Sequence, residues 1–260
     1  MKKILCLFFL GFCITNAVAQ QWKLVWSDEF TQPGLPDPSK WNYDIGGNGW
    51  GNQEKQIYTR ADPSTVSIRN GSLFITAIKT PEGKYHSARL VTRGKADWRY
   101  GRIEIRARLP RGRGVWPAIW MLPTDDAYGD WPTSGEIDIM EFVGYNPDTV
   151  FTSVHTDAYN HMLGTQKTKG HLLRMNWQNF HVYAIEWLEN HIHFKIDGNT
   201  VFSFKKEKDE AEVWPFDQPF YLILNLAIGG TWGGQKGIDD SIFPQSMEID
   251  YVRVSQPAAH

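Results

Sequence analysis

An all-β fold, two packed antiparallel sheets forming one domain, is predicted by three features of this 260-residue chain. Short runs alternate apolar with polar residues, two-residue turn signals separate several of them, and no long segment has helical periodicity. Alternation sends every second side chain to one face of a strand, so such a run covers a core on one side and meets water on the other. The 23 Gly and 14 Pro supply the punctuation that many short strands need.

The first nineteen residues read as an export signal: Lys2-Lys3, an apolar run from Ile4 to Ile14, then Ala17-Val18-Ala19 as an A-x-A cleavage pattern. The apolar run is too short to span a membrane, and Phe12 is a poor neighbour for lipidation of Cys13. Cleavage after Ala19 predicts a secreted protein comprising residues 20–260, read as a single domain because no repeat, low-complexity tract or linker interrupts it. Cys6 and Cys13 both lie in the leader, so the mature chain has no disulfide and no thiol nucleophile. Loss of Lys2 and Lys3 moves the formal charge from −2 to −4, and no polybasic run is present. Nucleic acid and anionic membranes are therefore excluded as partners, and a monomer is expected.

Strands are expected at Trp22-Leu24-Trp26, Val66-Ile68, Leu73-Ile75, Ile103-Ile105-Ala107-Leu109, Val182-Ala184, Ile192-Phe194-Ile196 and Met247-Ile249-Tyr251. Asn70-Gly71 signals a two-residue hairpin, and Asp197-Gly198-Asn199 a second tight turn. Trp22, Trp26 and Trp187 hold strand positions that suit burial. Long loops are expected at 46–56, 111–123, 124–132 and 229–237, each with tryptophan beside glycine. The chain has 12 Trp, more than core packing asks for, and rigid aromatics on loops of a β scaffold suit ligand binding. The glycines at 46–51 do not make a phosphate cradle, because no Lys-Ser/Thr pair follows them. His191 and His193 share a strand face but have no third ligand at a suggestive spacing, and are read as surface.

The segment WPTSGEIDIMEF, residues 131–142, places three acids in a β-prone run. Glu136 and Asp138 share a face, but Glu141 falls at an odd spacing that a regular strand would turn into the core. A β-bulge at Ile139-Met140 would reset the alternation and return Glu141 to the face of the other two. One acid on a solvent face is ordinary decoration. Three on one face repel and raise one another's pKa, which decoration does not require and acid/base catalysis exploits. Two glutamates about 5–5.5 Å apart are what a retaining glycosidase uses, one as nucleophile and one as proton donor.

The run WPTSGEIDIMEFVG, with GVWPAIWMLP upstream, resembles the active-site strand of glycoside hydrolase family 16, in particular its laminarinase-like, endo-β-1,3-glucanase branch, whose motif carries the extra residue before the second Glu. The lichenase and xyloglucan-transferase branches use the shorter E-x-D-x-E. Further matches are LVWSDEF, NGWGNQE, YGRIEIRARLP, HVYAIEW, LNLAIGG and MEIDYVRV, which together cover nearly all of the mature chain. The resemblance implies a β-jelly roll with a substrate cleft on its concave face. It makes Glu136 the nucleophile, Glu141 the acid/base, and Asp138 the residue that holds Glu136 and tunes its charge.

A glucan offers flat C–H faces rimmed by hydroxyls, so its cleft needs aromatic platforms with polar groups at their edges. The resemblance implies Trp116, Trp120 and Trp131 beside the catalytic centre and Trp50 and Trp232 on the rims. Asn48, Arg89 and His155 are the candidates for hydroxyl contacts. No cofactor enters the chemistry, but a structural Ca²⁺ on the convex face is implied at Glu29, the backbone carbonyl of Gly71, and Asp250, whose oxygen donors suit that ion. The expected activity is endo-acting, retaining hydrolysis of β-1,3 linkages in laminarin or mixed β-1,3/1,4-glucan, with the β-glucan polysaccharide or oligosaccharide as partner. Two alternatives use the same scaffold. A non-catalytic glucan-binding lectin would have no use for the glutamate pair, and a marine galactan hydrolase of the agarase or carrageenase type would suit a more basic cleft.

Overall fold

Alternating side chains build the first sheet of the computed structural model, which describes residues 20–173 and 178–258. The leader, and with it the cleavage site at Ala19, lies outside the described residues. In chain order the strands are Trp22–Asp28 (β1), Asn42–Tyr43 (β2), Gln56–Tyr58 (β3), Val66–Arg69 (β4), Ser72–Lys79 (β5) and Tyr85–Ser87 (β6). Arg89–Val91 (β7), Gly101–Arg108 (β8), Val115–Pro123 (β9), Glu136–Phe142 (β10), Thr149–His155 (β11) and Lys167–Leu172 (β12) follow. His181–Leu188 (β13), His191–Ile196 (β14), Asn199–Lys205 (β15), Phe220–Ile228 (β16) and Gln245–Pro257 (β17) complete the set. Among the described residues the only helix is one 3₁₀ turn, Asp240–Ile242.

The strands form the two sheets of a jelly roll. One sheet follows the order β15-β14-β13-β8-β17-β5-β6-β3, with β1 on β17 and β4 on β5; the other runs β12-β11-β10-β9-β16-β7-β2. All pairings between these strands are antiparallel except β3 with β6, which departs from the purely antiparallel expectation. Ile103, Ile105 and Ala107 of β8 meet Ile119 and Met121 of β9, Ile137 of β10 and Leu222, Leu224 and Leu226 of β16 in one continuous buried cluster between the sheets.

Every strand expected from alternation is present, and both turns have the left-handed backbone their residues suit, with φ of 53° and 74° at Asn70-Gly71 and 50° and 80° at Asp197-Gly198. Trp187 is fully buried, and its indole N–H donates to the Phe216 carbonyl at 3.0 Å. Trp26 is half-buried, with Trp41 and Trp98 edge-on against it. Trp22 is also only half-buried, against the expectation of core packing. The larger correction concerns 111–123: its second part is not a loop but β9, a central strand between β10 and β16. Val115–Pro123 and Phe220–Ile228 lack alternation because both of their faces are covered, one by the core and one by aromatic side chains. A strand buried on both sides reads as a continuous apolar run.

Candidate active site

The register of β10 places the three acids. Against β9, Asp138 pairs with Trp120 but Met140 with Ile119, so one extra residue is inserted at this point. Against β11 the same step appears between Asp138, opposite Ser153, and Glu141, opposite Phe151. Ile137, Ile139 and Met140 all point into the core, while Glu136, Asp138 and Glu141 all line one cleft of about 570 Å³ on the outer face of the seven-stranded sheet. Two consecutive core-facing residues are the bulge that the spacing called for.

Each glutamate accepts an indole N–H. Trp131 Nε1 donates to Glu136 Oε2 at 2.5 Å, and Trp116 Nε1 donates to Glu141 Oε1 at 3.1 Å. The two indoles differ in setting. Trp131 stands at the mouth, 36% exposed, whereas Trp116 is buried beneath Trp232, which meets it edge-on at 5.4 Å and is itself met by Phe151 at 5.1 Å. Burial therefore pushes the Glu141 carboxyl well above its ordinary range, and the neighbouring Asp138 and Glu136 charges add to the rise against weaker opposition from His155 and the Trp116 hydrogen bond. Asp138 is almost wholly buried, and burial followed by the Glu136 charge raises its carboxyl too. His155 Nε2 lies 3.2 Å from Asp138 Oδ2, and ligand-capable atoms of Glu136, Asp138 and His155 all fall within 4.8 Å of one another. These contacts tie β10 to the end of β11, where Glu136 pairs with His155.

One arm of the cleft, over β9, β16 and β7, is a closed circuit of aromatic and polar side chains. The Arg89 guanidinium lies between the rings of Trp50 and Trp120, 4.8 and 4.7 Å from their centroids, with Nε 3.1 Å from Asp44. Trp120 Nε1 donates to Asn225 Oδ1 at 2.7 Å, Asn225 Nδ2 donates to the Tyr58 hydroxyl at 2.9 Å, and Tyr58 packs against Trp50. Each platform is thus locked by its neighbours, which keeps the stacking faces in place without a bound sugar. The arm over β11 and β12 is polar, with Ser153, Gln166 and Thr168 on its surface.

Of the residues singled out in the sequence, Trp50, Arg89, Trp116, Trp120, His155 and Trp232 line the cleft with the three acids, and Trp131 reaches it through Glu136. Asn48 does not line it; its Oδ1 accepts the Trp50 N–H at 3.2 Å and shapes the loop that carries Trp50. Glu54 and His161 were not foreseen. Glu54 belongs to the NGWGNQE run and lines the cleft, half-covered by Gln56, whose Nε2 donates to it at 2.5 Å; burial raises its carboxyl. His161 comes from a loop in which no pattern marks it.

The expected Ca²⁺ donors fit only in part. Both Glu29 carboxylate oxygens are taken by Arg253, at 2.9 and 2.8 Å, so this side chain does not fit as a ligand. Asp250 sits at a bulge of β17 and accepts from Arg106 through Oδ2 at 2.5 Å, keeping Oδ1 outside that pair. Ile249 pairs with Leu73, which brings the Gly71 turn to the same end of the sheet. His191 and His193 are partly exposed neighbours with rings 4.2 Å apart, and among the described residues no third ligand joins them.

The family model "Glycosyl hydrolases family 16" matches residues 52–253. A beta-glucanase of Rhodothermus marinus is 57% identical over 245 residues, covering 91% of this chain and 86% of that protein. The X-ray structure of a laminarinase from Rhodothermus marinus superposes with a TM-score of 0.90 at 54% identity, covering 93% of this chain and 100% of the other. A non-specific endo-beta-1,3(4)-glucanase of family GH16, co-crystallised with 1,3-beta-D-cellotriosyl-glucose, superposes with a TM-score of 0.87 at 45% identity, covering 92% and 96%.

Proposed function

This chain belongs to glycosyl hydrolase family 16, and from that premise we propose that it is an endo-acting, retaining β-glucan hydrolase that cuts β-1,3 linkages in laminarin or mixed β-1,3/1,4-glucan. The observation that carries the mechanism is the bulge in β10, which turns Glu136 and Glu141 to one cleft while leaving them in different surroundings. Glu141, desolvated and crowded by like charge, has its carboxyl raised well above the ordinary range, which favours the protonated form that can deliver a proton to the glycosidic oxygen. Glu136, at the open side, attacks the anomeric carbon as that oxygen leaves. The glycosyl group is then esterified to Glu136 with inverted configuration. Glu141, now ionised, takes a proton from water as its oxygen attacks the same carbon and frees Glu136, so the second inversion restores the β configuration.

Asp138 sits between the two glutamates with a raised pKa of its own. A protonated Asp138 can donate to Glu136 and withdraw as charge moves onto the sugar, with His155 Nε2 3.2 Å from its buried Oδ2. The platforms Trp50, Trp116, Trp120 and Trp232 suit the flat faces of glucosyl units, and Arg89 with Asn225 suits their hydroxyls. A lectin on this scaffold would keep the repulsion among three neighbouring acids with no return in binding.

The test is stereochemical and compositional. Proton NMR of laminarin digestion, followed before mutarotation, gives the β-anomeric signal first; an α signal rising first makes the pair an inverting one. Products from laminarin, lichenan, curdlan, agarose and carrageenan fix the linkage, and release of oligosaccharides from agarose or carrageenan alone would overturn the glucan reading. We further propose secretion with cleavage after Ala19, a monomeric enzyme, and structural Ca²⁺ held through Asp250 and the Gly71 carbonyl, remote from the chemistry.

A further inference from the structure

Between β11 and β12 the chain from Thr156 to Thr165 folds into a small closed loop around one buried amide. Asn160, 2% exposed, donates through Nδ2 to the carbonyls of Thr156 and Asp157 at 3.2 and 2.9 Å and accepts the Leu163 N–H on Oδ1 at 3.1 Å. Its backbone N–H donates to Thr165 Oγ1 at 3.2 Å, and its carbonyl accepts from Thr165 N at 3.0 Å. A buried amide with these partners fixes the backbone on either side of it. The next residue, His161, is consequently held over the catalytic centre.

The His161 ring lies 5.0 Å from Trp131 with planes tilted by 36°, and 5.3 Å from His155 edge-on at 80°. It therefore touches both side chains that support the nucleophilic end of the site: Trp131, which donates to Glu136, and His155, which meets Asp138. Trp131 needs such support. It belongs to a turn-rich loop, not to a strand, and more than a third of its surface is open to solvent. Tilted and edge-on aromatic contacts at these separations are favourable and bias the indole toward one orientation. The charged or titratable groups facing His161 are His155 and Glu136; the ring is exposed on its outer side, and its partial desolvation against the cleft, together with His155, holds its imidazole below the usual range with Glu136 opposing, so it presents a neutral aromatic surface to Trp131.

We propose that His161 is a positioning residue: its ring braces Trp131 so that the indole N–H stays on Glu136, and it does this without touching the reacting atoms. The proposal rests on Glu136 being the nucleophile. It predicts a rate effect separate from sugar affinity, because the ground-state platforms lie elsewhere in the cleft.

The experiment is trapping of the glycosyl-enzyme by an activated 2-deoxy-2-fluoro-β-laminaribioside, with peptide mapping of the labelled residue and, in parallel, laminari-oligosaccharide affinity. In the unaltered enzyme the label falls on Glu136. His161→Ala traps about tenfold more slowly with affinity changed less than about twofold, the pattern of an interaction realised in the transition state. His161→Phe, which keeps the ring and discards the titration, recovers the rate to within about threefold. On a Trp131→Phe background, which has no indole N–H, His161→Ala adds less than about twofold, because the two substitutions break one chain of contacts. Trapping by His161→Ala at the unaltered rate, His161→Phe as slow as His161→Ala, full additivity with Trp131→Phe, or a loss confined to affinity would each overturn the proposal. A label on another residue of the unaltered enzyme would instead remove the nucleophile assignment on which it stands.

Discussion

Glu136 and Glu141 carry the same functional group and each accept one indole N–H, so what separates their roles is the surroundings. Glu136→Ala is expected to lower laminarin turnover by at least about 10³-fold, some 4 kcal/mol of barrier, while oligosaccharide binding persists. Substantial remaining activity would point to a different nucleophile. Glu141→Ala should cost about 10²–10⁴-fold on glucan. The loss should shrink on an aryl glycoside that needs no protonation, and azide should then release a β-glycosyl azide. Because Glu141 must be protonated to act as acid, activity falls as pH rises through its elevated pKa, and the alkaline limb of kcat/KM is assigned to it. The same elevation affects stability. Between the unfolded carboxyl pKa and the raised folded one, the native state binds more protons than the unfolded state, so its stability falls as pH rises through that window. Glu141→Gln removes this dependence. Its melting temperature is therefore expected to exceed that of the unaltered protein near pH 7 by a few degrees, at about 2–4 °C per kcal/mol for a domain of this size, with the gap closing toward pH 4. A gap independent of pH would refute the linkage.

Within β10, two consecutive core residues make the odd spacing of the acids compatible with a shared face. Deleting Met140 would convert the run to alternating acids, with all three still turned to the cleft. The expected cost is the lost core side chain, about 2–5 kcal/mol, read as a lower melting temperature in a folded protein that still binds oligosaccharide. Inserting one alanine after Met140 forces a choice: with the bulge kept, Glu141 turns into the core with no cationic partner, and with the bulge lost, the acids share a face but Met140 turns out of the core. Urea denaturation orders the two variants. A deletion variant as stable as the unaltered protein would mean that Met140 is not a core residue of this strand.

The whole molecule separates chemistry on one sheet from a charged outer face on the other, where Arg106 pairs with Asp250 and Arg253 with Glu29. Calcium on that face would add stability only by binding the native state. Chelation is then expected to lower the melting temperature while activity at 25 °C holds, and Asp250→Asn should abolish the difference between Ca²⁺ and chelator. Identical melting curves in both conditions would remove the ion from the account. The Arg253 pair on Glu29 already argues that this carboxylate takes no part.

Alternation and turn chemistry are local properties, so residues such as Ile103-Ile105-Ala107 and Asn70-Gly71 declared their strands and hairpin in the sequence itself. The acid triplet went further, because its one-residue excess has few solutions in a strand and the bulge is the simplest. What the sequence did not disclose lies where two layers cover one element or where distant loops meet. Val115–Pro123 looked like a glycine-flanked loop because a strand packed on both faces has no polar side to alternate with. Asn48 looked like a sugar ligand, but its amide is used by its own loop. His161 became visible only when the fold carried it against Trp131 and His155, since a contact between residues far apart in the chain leaves no periodic trace in either segment. The sequence by itself determined which side chains could do acid/base chemistry and on which face of one strand. Only the tertiary structure decided that the Glu141 carboxyl is desolvated and crowded by like charge, and so raised, because desolvation is a property of everything packed around a residue and not of its neighbours in the chain.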